Sequence, residues 1–132
     1  MISEYGVALT LSSEVADATY RIDDTMATGP TPGTDADGNT FTELPGVRIW
    51  TASLAADPAC SDVTDDGLVA IAVFPSDPSS LDLPEGPTDY RHVGQYWFGI
   101  SHENGYGCSD GNMQEVPSVN ALMQAFDTIH AA

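Results

Sequence analysis

The chain has 132 residues, with twenty aspartates and glutamates against three arginines and no lysine, for a formal net charge of -17. Affinity for nucleic acid needs basic side chains that displace condensed counterions; only Arg21, Arg48 and Arg91 qualify, so neither DNA nor RNA is an expected partner. An acidic chain also repels an anionic bilayer, and no apolar run of about eighteen residues is present, so membrane insertion is not expected either.

At 42% hydrophobic residues the composition is that of a folded chain, and its length suits a single globular domain over 1–132. The acids are spread along it, twelve before Gly67 and eight after, so the charge coats the domain and forms no tail.

In chain order, Tyr5 to Ser12 alternates apolar with small or polar residues at period two and reads as a half-buried strand that opens the sheet. After Ser13 two patterns compete. Val15, Thr19, Ile22 and Met26 fit one helical face, with Asp17 and Arg21 four apart as a surface pair, while Ala18, Tyr20 and Ile22 fit a strand. Residues 28–39 combine Pro30 and Pro32 with Gly29, Gly33 and Gly38 and read as a long surface loop. Thr40 to Leu44 and Val47 to Ala52 then read as two extended segments joined by a turn at Pro45-Gly46.

Gly67 to Phe74 is a continuous apolar run rich in branched side chains and bounded by Pro75, which makes it the expected central strand. Gln95 to Ser101, with Tyr96, Trp97 and Phe98, is its expected neighbour. Between them, residues 75–94 hold four prolines and four acids and read as a second long surface loop, with Leu81 and Leu83 either folded back or displayed. At the C-terminus, Val119, Leu122, Met123, Phe126 and Ile129 recur at helical spacing, and Pro117 fits the first turn of that helix. His130 then falls near the helix C-terminus, where its protonated form meets a favourable dipole. The expected architecture is α+β: a mainly antiparallel sheet of four or five strands with the C-terminal amphipathic helix packed on one face.

Motifs of named chemistries are missing. Asp35, Asp37 and Asn39 alternate like the oxygen donors of a calcium loop, but Gly38 stands at the fourth position instead of the sixth and no glutamate follows at the twelfth, so an Asp/Gly turn is expected. Asp62, Asp65 and Asp66 read as a solvated turn ahead of the central strand. The spacing of His92, His102, His130 and the cysteines matches no metal or nucleophile pattern. The run from His102 to Asn112 reads as a glycine-rich turn that anchors a cysteine. No cofactor, metal or catalytic residue is expected.

Cys60 and Cys108 each precede Ser-Asp in turn-rich surroundings and are candidates for a disulfide. Met1 to Tyr5 lacks the basic start and long apolar run of a secretory signal, which places the chain in the cytoplasm if Met1 is the native start, whereas a Cys60–Cys108 bridge would place it outside. The expected function is non-enzymatic: an acidic interaction protein of the inhibitor, immunity or antagonist kind, engaging a basic protein surface by imitating a polyanion. Its expected contacts lie on the long loop, with Asp77, Asp82, Glu85 and Asp89 as charges and Leu81, Leu83 and Tyr90 as apolar anchors. The alternative is an extracytoplasmic or virion-surface structural domain stapled by the cysteines.

Overall fold

The computed structural model describes residues 1–84, 86–87, 89–102, 108 and 114–132. Its elements run β1 (Val7–Ala8), β2 (Ala18–Asp23), β3 (Gly33–Thr34), β4 (Thr40–Phe41), β5 (Leu44–Thr51), α1 (Ala52–Ala55), α2 (Val63–Asp66), β6 (Val69–Phe74), β7 (Tyr90–Val93), β8 (Tyr96–His102), α3 (Val116–Phe126) and β9 (His130–Ala131), with short 3-10 turns between some of them. Five strands form an antiparallel sheet in the order β2-β5-β6-β8-β7, and α3 packs against it, so the α+β expectation holds.

The apolar run before Pro75 is the middle strand β6, buried along nearly its whole length, and the aromatic run is its neighbour β8. Strand alternation divides their side chains between two faces. One face carries Val47 and Ile49 of β5, Val69, Ile71 and Val73 of β6, and Phe98 and Ile100 of β8; with Val119, Leu122 and Phe126 of α3 these form the core. Of the residues that its spacing picked out, the helix buries Val119, Leu122 and Phe126, whereas Met123 is half-buried and Ile129 lies beyond its end; Pro117 occupies its first turn. It ends at Phe126, however, and His130 lies beyond it in β9, so the dipole explanation for that histidine falls away.

Four other expectations are corrected. The Tyr5–Ser12 run does not open the main sheet: only Val7–Ala8 is strand, and it pairs with β9 in a separate two-stranded ladder. Ala18 to Asp23 is the edge strand β2 and no helix, because pairing with β5 places Ala18, Tyr20 and Ile22 over the core. Asp17 and Arg21 consequently point to different partners: Asp17 accepts the Ser53 N–H at the start of α1, and Arg21 donates to the carbonyls of Thr64 and Asp65. Pro45-Gly46 is not a turn between two segments but a register shift inside the single strand β5, where Met26 packs directly against Gly46 and leaves no room for a Cβ. Tyr5 donates its hydroxyl proton to the Pro45 carbonyl at the same irregularity.

Each long-loop segment contains a strand. Gly33–Thr34 pairs with β4, and Tyr90–Val93 pairs with β8 through a two-residue turn in which Gly94 adopts a φ of 63°. Leu83, Pro84, Gly86 and Pro87 of the second loop lie over the sheet face opposite α3, beside Ala72 and Ser101. Pro87 lies so close to Gly99 that a Cβ there would come within 2.7 Å of it.

Cys60 and Cys108 are both buried and joined by a disulfide across a sequence separation of 48. The expected contribution of a bridge closing that loop is about 4 kcal/mol through restriction of the unfolded chain. Replacing both cysteines with alanine should lower unfolding free energy by about that amount in urea titrations with unchanged secondary structure by circular dichroism.

Candidate functional site

The site lies on the outer face of the sheet, away from α3, and two backbone clamps build it. Asp35, which is buried, accepts through Oδ1 from the N–H groups of Asp37 and Asn39, and through Oδ2 from the Asn39 amide and the Asp82 N–H. The alternating acidic run is therefore a turn, as its spacing predicts, and its carboxylate also pins the second loop, whose Asp82 carbonyl accepts the Ala36 N–H in return. The Asp82 N–H bond comes first among the causes that hold the Asp35 pKa below its ordinary value. The second clamp fixes Glu43: Thr28 donates its N–H to the Glu43 carbonyl, and its hydroxyl accepts the Glu43 N–H.

Between these clamps is an open pocket of about 310 Å³. Ala72 and Ser101 of the sheet, Met26, and Leu83, Pro84 and Pro87 of the loop surround it together with Glu43. The walls are mostly aliphatic, and Glu43 is the one titratable side chain among the described lining residues. Its carboxylate forms no ion pair with any described residue, and desolvation pushes its pKa up to about 7. Tyr90, close enough to feel that charge, is itself raised, first by desolvation and then by Glu43. Its ring meets Phe74 edge-on at 5.9 Å, and farther along the same face His92 stacks on Trp97 at 3.8 Å.

All three arginines are engaged elsewhere. Arg48 bonds Asp23 at 2.6 Å and the Asp66 carbonyl at 2.7 Å. Desolvation alone would raise the buried Asp23, but hydrogen bonds from Arg48 and Thr25 outweigh it and hold its pKa at about 2. Arg91 lies between Asp89 and Asp127, 2.8 Å from each, with its guanidinium 5.8 Å from the centre of the Phe126 ring.

The contact residues expected from sequence are distributed as follows. Asp77 and Asp82 are exposed, and Asp77 accepts the Ser79 N–H. Asp89 is exposed but paired with Arg91. Leu81, Leu83 and Tyr90 are half-buried, with Leu83 in the pocket wall, while Glu85 lies outside the described residues. Of the run from His102 to Asn112, only His102 and the bonded Cys108 are described. Asp62, Asp65 and Asp66 are exposed around α2. Sequence reasoning missed Glu43, although Phe41 and Glu43 alternate with exposed Thr40 and Thr42 at strand period. Among the described residues no cluster of three or more histidine, cysteine or acidic side chains could hold a metal ion, and no helix is long and apolar enough to cross a membrane.

Two outcomes are expected. Asp35→Ala should speed amide hydrogen exchange at Asp82 and Asn39 by about tenfold or more, because the loop loses its clamp, while β6 amides stay protected. For Glu43, the ordinary value is 4.5 and the folded value about 7, so its contribution to stability is complete below 4.5 and lost as pH rises through 7. Glu43→Gln should therefore exceed wild type in stability at alkaline pH by about 1 kcal/mol, a figure reduced for solvent screening of a half-exposed carboxyl, and the gap should close in acid urea titrations.

Comparison with protein-family models, with curated proteins and with solved structures finds no match for this chain.

Proposed function

We propose that this protein is a non-enzymatic acidic interaction protein, of the inhibitor, immunity or antagonist kind, that engages a basic protein surface as a polyanion would. One observation carries the reading: every arginine of the chain is tied to an acid or a backbone carbonyl of its own fold, so the exposed acids keep their field. Such a field accelerates encounter with a basic partner and selects against anionic ones. The second loop offers Asp77 and Asp82 as exposed charges beside half-buried Leu81, Leu83 and Tyr90, the combination of charged rim and apolar centre that binding surfaces use. Asp89, shared with Arg91, and Glu85 complete the proposed contact set.

The disulfide favours a second reading, an extracytoplasmic or virion-surface structural domain, because such bridges persist in oxidising compartments. Thiol titration of unfolded protein prepared without reductant should find no reactive cysteine on this reading; two reactive thiols would set it aside.

The primary reading is tested by titrating the protein with polylysine and with a basic nuclease, using calorimetry at about 20 mM and about 0.5 M salt. Complexes should form at low salt and weaken steeply at high salt. Failure to bind any basic polypeptide at low salt would refute the proposal.

A further inference from the structure

We infer that the pocket on the outer face of the sheet is a receptor for a lysine side chain presented by the basic partner. The inference deepens the function proposed above and rests on it for the identity of the partner, whereas the pocket's chemistry stands on its own geometry.

Glu43 lacks what the other covered acids of the fold have. A carboxylate brought out of water is costly unless a counter-charge or hydrogen-bond donors compensate, and within the fold such acids normally find them. Asp23 has Arg48 and Thr25, and Asp35 has four N–H donors. Glu43 is half-buried and receives neither among the described residues, while both its backbone groups are held by Thr28. The backbone of Glu43 is thus held in place, and its carboxyl is left without a counter-ion among the described residues beside an open cavity. A cation entering that cavity supplies the missing charge.

The walls decide which cation. Met26, Ala72, Leu83, Pro84 and Pro87 present aliphatic surface around the acid, and the Ser101 hydroxyl is the other polar side chain among the described lining residues. A hydrated metal ion gains nothing from such walls and finds too few oxygens among the described residues. An arginine head prefers bidentate carboxylate geometry combined with an aromatic face, and no aromatic ring is among the described residues that line this pocket. Lysine fits better: its four-carbon stem covers apolar surface while its compact ammonium reaches a single charge. The volume, about 310 Å³, suits one side chain and is at the lower end of the size of small-molecule pockets, roughly 300–1,000 Å³. The surrounding coat of exposed acids draws a basic chain toward this face, and the pocket then selects one residue of it.

The test uses the intact, disulfide-bonded protein carrying ¹³C-methyl methionine, titrated with Nα-acetyl-lysine N-methylamide. Met26 lines the pocket, whereas Met1 and Met123 are not among its lining residues and report diffuse association of cations with the acidic surface. The Met26 signal should move saturably at millimolar ligand, and the arginine analogue should bind less tightly. Glu43→Gln should weaken lysine-analogue binding by about tenfold or more, as expected for losing the charged partner of a hydrogen bond. Ala72→Leu, which fills the cavity but keeps the carboxyl, should also weaken it, and this second variant keeps the test decisive if the first fails to fold. Asp62→Asn with Asp65→Asn, exposed acids around α2 that belong to no proposed contact, should leave the affinity for the analogue nearly unchanged. The inference is overturned by an immobile Met26 signal, by undiminished binding in Glu43→Gln, by undiminished binding in Ala72→Leu, or by equal or tighter binding of the arginine analogue. Polylysine binding at low salt combined with no response to the monomeric analogue would sink the pocket and leave the polyanion reading standing. The reverse pattern would keep the pocket and remove the polyanion reading.

Discussion

A chain with twenty acids and three bases cannot neutralise itself, and where its three arginines go constrains everything else. Arg21 and Arg48 project from β2 and β5 toward the end of α2, where the carbonyls of Thr64, Asp65 and Asp66 accept their protons. A helix end leaves such carbonyls without intrahelical partners, and a guanidinium, with several donors in one plane, can satisfy a carbonyl and a carboxylate together. Arg48 does so by also holding Asp23, the acid that the sheet buries on the same face. Breaking that pair would leave Asp23 charged and out of water, a far larger cost than the loss of an exposed ion pair. Arg91 performs the comparable task at the other sheet edge, joining the second loop to the end of α3 through Asp89 and Asp127. The cations thus hold elements together, and the outward field is left to the acids.

The two sheet faces follow from this division. On the α3 side, alternation delivers an unbroken apolar surface, and the helix covers it. The opposite side carries Arg21, Asp23, Arg48, His92, Trp97, Gly99 and Ser101 at the alternate positions, a mixed surface that no amphipathic helix could cover without stranding charges. A loop covers part of it instead. Its hold is local, through the Asp35 clamp at one end and Pro87 against Gly99 at the other, so cover is incomplete and a cavity remains between.

This contrast explains what was legible in the sequence. The β6 run, the aromatic β8 run and α3 are long, strongly patterned and buried against one another, so periodicity and burial agree. The Cys60–Cys108 pair was legible from its matching surroundings. β2 was ambiguous because a short stretch with apolar residues at both spacings is resolved only by its partner, here β5. β1 and β9 are two residues each and exist because the chain ends meet, which no local pattern encodes. At Pro45-Gly46 the dipeptide has the composition of a turn, and only the packing of Met26 on Gly46 makes it an irregularity within a strand. Glu43 was hidden for the same reason. Its alternation with Phe41 was visible, but an acid acquires a raised pKa from what covers it, and the cover is a loop forty residues away that is itself held by an aspartate of another turn.

That dependence links the acidic coat to the pocket physically. Long-range attraction from many exposed acids is screened by salt and insensitive to which basic group arrives, so by itself it brings partners close without choosing among them. A single carboxylate inside apolar walls behaves in the opposite way: it acts only at contact, is less screened, and rewards a cation whose stem matches the walls. In the proposed function the coat sets the rate of encounter and the pocket sets which residue stays. Both require that no arginine of the chain reach Glu43, and the fold meets that requirement by committing all three to Asp23, to the carbonyls at the end of α2, and to the Asp89–Asp127 pair.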